Sequence, residues 1–148
     1  MNPSLIVSAM PLLAKYFLNT LLLIDLIMAL GFGLFSWFFP LETFGTLIDI
    51  PEAHTSLILA LFASQSIFYV LLGLVCWIGI RVPYPVGLWI GCLIAFRHAV
   101  VGFAKWGDVG KEWLIGNPYP DLIIHATLFW AYTLALWITY QQRTKTMS

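Results

Sequence analysis

The sequence predicts an all-α fold: a polytopic membrane protein with four transmembrane helices in an antiparallel bundle. Three observations carry this. Only 7 Lys+Arg and 7 Asp+Glu occur in 148 residues, so 9% are charged, against roughly 25% in an ordinary soluble domain. Hydrophobic residues make up 61% and mean hydropathy is +0.90. Four stretches also meet the length of about 20 mostly apolar residues that a bilayer-crossing helix needs. So few charges exclude a water-soluble monomer, and the net charge of zero leaves no electrostatic footprint for nucleic acid. Residues 1–148 read as a single integral-membrane domain. Met1–Pro11 lacks the basic n-region of a cleaved signal peptide, and the apolar run after it is too long for one.

The first span runs from about Leu13 to Phe39 and ends at Pro40. It is long enough, at about 1.5 Å per residue, to tilt. The connection Leu41–His54 contains Gly45 and Pro51. The second span covers about Thr55 to Ile80. Arg81-Val82-Pro83-Tyr84-Pro85 is a very short turn, so the second and third helices form an antiparallel hairpin. The third span covers about Pro85 to Trp106. The connection Gly107–Tyr119 is rich in glycine, and its centre, Lys111–Ile115, suits the membrane interface. The fourth span covers about Pro120 to Tyr140.

Lys15, Arg81, Arg143 and Lys145 fall on one side of this layout, Lys105 and Lys111 on the other. The bias predicts both termini in the cytoplasm. Trp37, Trp106, Trp113 and Tyr119 then mark the outer boundary, and Trp77, Tyr84 and Tyr140 the inner one.

Because lipid is as apolar as leucine, helices in it associate through close packing and polar contacts. Gly87, Gly91, Ala95 and Ala99 recur at four-residue spacing on the third helix. The stripe admits a neighbouring backbone, either within the bundle or on a second membrane protein.

Charged and polar residues at membrane depth are default functional candidates: Asp25, Gln65, Arg97, His98 and His125. Counting helix rise from the outer boundary puts His98 at about 12 Å and His125 at about 8 Å. Arg97 falls at about 13 Å, Gln65 at about 15 Å and Asp25 at about 21 Å. The histidines therefore share an outer polar layer with Arg97, on adjacent or facing helices. Two imidazoles from separate helices are what a haem b requires, with Arg97 and Lys105 for its propionates. A quinone head group needs one such donor in an apolar slot, and a chlorophyll-type pigment a single histidine. The plain alternatives are a histidine bonded to a facing carbonyl and a snorkelling arginine.

Asp25, in Leu21-Leu22-Leu23-Ile24-Asp25-Leu26-Ile27, has no charge within a turn. It reads as a protonated carboxyl, as half of an ion pair with Arg97 or a partner chain, or as part of a proton relay. No phosphate loop, HExxH or nucleophile elbow occurs, so no catalytic residue is assigned. Cys76 and Cys92 sit in apolar runs without a CxxC, so no metal site is assigned either. His54 reads as a solvated loop residue.

The long first helix, the loop from Phe39-Pro40 to Pro51, and Tyr69-Val70-Leu71-Leu72-Gly73-Leu74 running to Arg81 give the layout a family likeness. With one histidine in each of the last two helices, it resembles the small four-helix DoxX-like bacterial membrane proteins. Some of that group are small subunits of membrane oxidoreductases, so the resemblance implies a quinone connection by analogy.

Together these features lead to the expectation of a small accessory or structural subunit. It would sit among membrane lipids and other membrane protein subunits, with energy-transducing complexes among the candidates. Its alternatives are a redox protein holding haem or quinone near Arg97, His98 and His125, and a small transporter or channel using Asp25 and Gln65.

Overall fold

In a computed structural model, residues 3–40, 42, 55–109, 117 and 119–147 are described. They form four helices: α1 (Pro3–Phe38), α2 (Thr55–Arg81), α3 (Tyr84–Asp108) and α4 (Tyr119–Met147). Each contains a stretch long and apolar enough to cross a membrane: Leu13–Phe38, Leu59–Arg81, Tyr84–Gly107 and Tyr119–Gln141. The chain is a polytopic four-helix membrane protein.

α1 and α4 run furthest past their apolar stretches. α1 reaches back past Pro11 to Pro3; a proline is tolerated in membrane helices where neighbours re-satisfy the freed backbone groups. α4 continues beyond Gln141 into Arg143 and Lys145, because hydropathy marks where lipid ends, not where a helix must stop. The α2–α3 turn is as short as its prolines predict. Val82 N–H still donates to the Ile78 carbonyl at 2.9 Å, and Pro85 falls in the first turn of α3, where its missing N–H costs nothing.

Neighbouring helices pack antiparallel, and the contacts give the register. Leu22, Leu30 and Gly33 of α1 meet Gly79, Gly73 and Val70 of α2 in reversed order. Along α3 and α4, Lys105 meets Asp121, Gly102 meets His125 and Tyr84 meets Thr139. α1 and α3 run in the same direction: Leu18 lies against Gly91 and Asp25 against His98.

The bundle is apolar outside and more polar inside. Trp89, Phe96, Phe103, Trp130 and Trp137 are exposed, whereas Asp25, Ser36, Ser66, His98, His125 and Thr139 are buried. Lipid is the solvent, so large hydrophobes face outward and polar groups find partners within. The hydroxyls of Ser36, Ser66, Thr133 and Thr139 donate to the carbonyls of Phe32, Phe62, Phe129 and Ala135 one turn back. Among the described residues no buried side-chain N or O lacks a partner.

The small-residue stripe is used inside the bundle. Gly87, Gly91 and Ala95 are buried and Ala99 half-buried. A Cβ on Gly91 would come within 2.8 Å of Leu18 Cδ1, and one on Gly87 within 3.0 Å of the Gly79 carbonyl oxygen. Tyr84 is the first residue of its span, and its hydroxyl reaches inward to Thr139 Oγ1 at 2.6 Å. Trp77 does stay exposed, with the Arg81 guanidinium 4.3 Å from its ring. His54, Trp113 and the Lys111–Ile115 segment lie outside the described residues.

Candidate functional site

The site grows from the core-facing stripes of three helices. On α1, Leu18, Leu21, Leu22, Asp25 and Ala29 follow the three-and-four spacing of one buried face. On α4 the same spacing places His125, Leu128, Tyr132, Ala135 and Thr139 on one face. On α3 it turns His98 inward with Gly91, Ile94 and Ala95. Four of these inward positions, Asp25, His98, His125 and Tyr132, carry titratable groups.

There the side chains join end to end. His98 Nε2 bonds the Asp25 carboxylate, at 2.9 Å to Oδ1 and 3.1 Å to Oδ2. The Tyr132 hydroxyl donates to Asp25 Oδ2 at 2.7 Å. On the other edge of the same imidazole, His98 Nδ1 lies 2.7 Å from His125 Nδ1. His125 Nε2 then faces Asp121 Oδ1 at 3.5 Å, and Asp121 Oδ2 is held by Lys105 Nζ at 3.0 Å. Asp25, His98 and Tyr132 are almost wholly buried, whereas the Asp121 carboxylate is about half exposed (47%). A continuous polar track therefore runs from the exposed end of α4 to the middle of the Leu13–Phe38 span.

The contacts constrain the protons. With Asp25 ionised, both Tyr132 O–H and His98 Nε2–H donate to it. A neutral His98 then accepts at Nδ1, so His125 carries its proton on Nδ1 and turns a bare Nε2 toward Asp121. The opposite arrangement also fills the contact with Asp121, where the first leaves two acceptors facing each other. Asp25 protonated on Oδ1 donates to His98 Nε2, His98 Nδ1–H donates to His125 Nδ1, and His125 Nε2–H points at Asp121. The two differ by one proton, and neither requires a ring to turn over.

No family model, curated protein or solved structure matches this chain.

Of the residues singled out in the sequence, the structure brings together Asp25, His98 and His125. It separates the other two. Arg97, next to His98 on α3, turns toward α2 and stands 5.6 Å from the Tyr69 ring centroid. Gln65 is exposed on α2, away from the histidines.

The depth assigned to Asp25 is corrected. Counting from helix ends placed it several ångströms below His98, because the count assumed level ends. The helices are fixed by the Leu18–Gly91 contact, and the two side chains reach toward each other. The Asp25–Arg97 ion pair is also replaced, since His98 and Tyr132 occupy both carboxylate oxygens. Tyr132 and Asp121 were missed as members of the site, and Lys105, expected beside haem propionates, pairs with Asp121 instead. Asp121 and Tyr132 lie one turn before and two turns after His125, and that i−4, i, i+7 pattern carried the signal.

The imidazoles do not form a pair suited to one iron. Axial ligands stand on opposite faces of the macrocycle, whereas here the two Nδ1 atoms are bonded to each other and His98 Nε2 is held by Asp25. The arrangement suits proton transfer along hydrogen bonds.

Proposed function

We propose that this protein handles protons within the membrane, carrying them between the Asp121 end of the bundle and Asp25. The observation that supports this most is the direct Nδ1–Nδ1 contact of His98 and His125 at 2.7 Å. It lets both rings pass a proton from one nitrogen to the other. A proton from water, relayed by Asp121, adds to His125 Nε2. His125 Nδ1–H passes to His98 Nδ1, and His98 Nε2–H passes to Asp25. Asp25 ends protonated and both rings end neutral, each with its proton moved across. With the termini cytoplasmic, the entrance faces the outside of the cell.

Beyond Asp25 toward the α2–α3 turn, an apolar layer of Leu18, Leu21, Leu22, Cys76 and Ala135 comes before the next polar pair, Tyr84 and Thr139. The track is therefore a half-channel ending at mid-span, and its proton returns by the same route or passes to another molecule in the membrane.

The test follows Asp25 by infrared spectroscopy after a pH drop, in protein reconstituted into lipid nanodiscs. A carboxyl C=O band absent from Asp25→Asn should rise in the wild type. His125→Phe should slow it by about 10²-fold or more, the usual size of a lost proton-transfer group. A band that rises equally fast in His125→Phe would overturn the relay.

Membership of a larger membrane complex is a second reading. It draws support from a groove of about 310 Å³ between α1 and α2, lined by Gly33, Trp37, Ser66 and Val70 among others. Co-purification with further chains in mild detergent tests it; recovery only as free protein counts against it. The DoxX-like likeness is consistent with either reading and is kept at the level of layout.

A further inference from the structure

We infer that Arg97 binds a single-chain amphiphilic anion, an acidic head on a hydrocarbon tail, and that this binding is coupled to the proton on Asp25. The coupling rests on the relay proposed above; the binding site does not.

Arg97 lies at membrane depth, ten residues before Gly107, which is about 15 Å of helix. It is half-buried, and its guanidinium faces Tyr69. Among the described residues it has no ion pair or side-chain hydrogen bond. The two acids near it are already engaged, Asp25 by His98 and Tyr132, and Asp121 by Lys105. A guanidinium offers five donors, and no described side chain accepts from it. Intramembrane cations in this position mark ligand or ion paths.

The approach to Arg97 is from lipid. Leu93, Phe96 and Val100 around it on α3 are exposed, as are Gln65 and Phe68 on α2. Gln65 precedes Tyr69 by one turn on the same face and adds an amide donor. The planar guanidinium fork matches an oxyacid head bidentately, and the apolar surroundings suit a hydrocarbon tail. A phospholipid phosphate is held at the bilayer surface, whereas a single-chain acid can slide its head to this depth.

Charge balance supplies the coupling. The titratable groups packed around the site are Asp25 from α1, Tyr69 and Cys76 from α2, His98 and Lys105 from α3, and Asp121, His125 and Tyr132 from α4. While Asp25 is ionised, it offsets Arg97 across the bundle, as Asp121 offsets Lys105. A proton delivered to Asp25 leaves Arg97 as the uncompensated charge in the interior, and an anion restores neutrality. By linkage, the coupling is reciprocal.

The experiment is isothermal titration of the full chain in phosphatidylcholine nanodiscs with decanesulfonate, whose charge does not titrate. Saturable binding should be stronger at pH 6 than at pH 8 and fall at least about tenfold in Arg97→Gln, with partial retention in Arg97→Lys. Asp25→Asn should bind about tenfold more tightly than the wild type at pH 8, the effect of removing one opposing charge across the bundle, and lose the pH dependence. Equal binding by wild type and a folded Arg97→Gln protein would overturn the site. A wild type with no pH dependence, matched by Asp25→Asn at both pH values, would overturn the coupling. Competition by phosphatidylglycerol at equal loading would overturn the single-chain ligand. The infrared result on His125→Phe bears on the relay alone, so the two proposals fail separately.

Discussion

Gly33 of α1 and Ser66 of α2 bring two backbones together where neither carries bulk between them. A Cβ on Gly33 would stand 3.1 Å from the Ser66 carbonyl oxygen, from Tyr69 Cβ and from Val70 Cγ2. Two of these three atoms belong to backbone or to a Cβ, which cannot turn away. Gly33→Ala should therefore cost about 1–3 kcal/mol through overpacking. Gly31→Ala meets nothing within 4 Å and should be neutral or slightly stabilising, given alanine's better helix propensity. Thermal melts of the two variants in one detergent check the contrast.

Tyr132 positions Asp25. Tyr132→Phe removes the 2.7 Å donor at Oδ2 and leaves that oxygen only the longer 3.1 Å bond from His98 Nε2, a loss of about 1 kcal/mol. A double-mutant cycle with Asp25→Asn should show that the two changes are not additive. Additive losses would mean that the 2.7 Å contact contributes nothing measurable.

The histidine pair has a direct spectroscopic signature. In ¹⁵N-labelled protein, the two Nδ1 resonances of His98 and His125 should share a coupling transmitted through their hydrogen bond. His98→Ala should abolish it and change the His125 tautomer. Independent Nδ1 signals in the wild type would show that the rings do not touch.

The two cysteines report which helix faces meet lipid. Cys92 is exposed and Cys76 buried. In intact membranes a lipophilic maleimide should label Cys92 and spare Cys76 until the protein is denatured. Labelling of both at similar rates would contradict the packing of α2 against α1.

Much of this fold was legible in the sequence, because lipid imposes a length and composition on each span that few other constraints can mimic. The Pro83–Pro85 turn and the glycine stripe of α3 also announced their roles. The site was harder to read. His98 and His125 could be placed at one level from their own helices, but Asp25 could not be raised to them by counting residues. Its level depends on how α1 slides along α3, and Leu18 fixes that by resting on Gly91, a pairing between residues far apart in sequence. Tyr132 was obscured for another reason. A tyrosine in an apolar helix looks like any other aromatic until the carboxylate opposite it is known.

Asp25 stands at the middle of the Leu13–Phe38 span, and this position has an electrical consequence. A proton that reaches it from one face crosses about half of the transmembrane field. Full crossing is worth roughly 2.3 kcal/mol per 100 mV, so half of it shifts the occupancy of Asp25 about sevenfold. At fixed pH, a change in membrane voltage would fill or empty this carboxylate much as a change in acidity would.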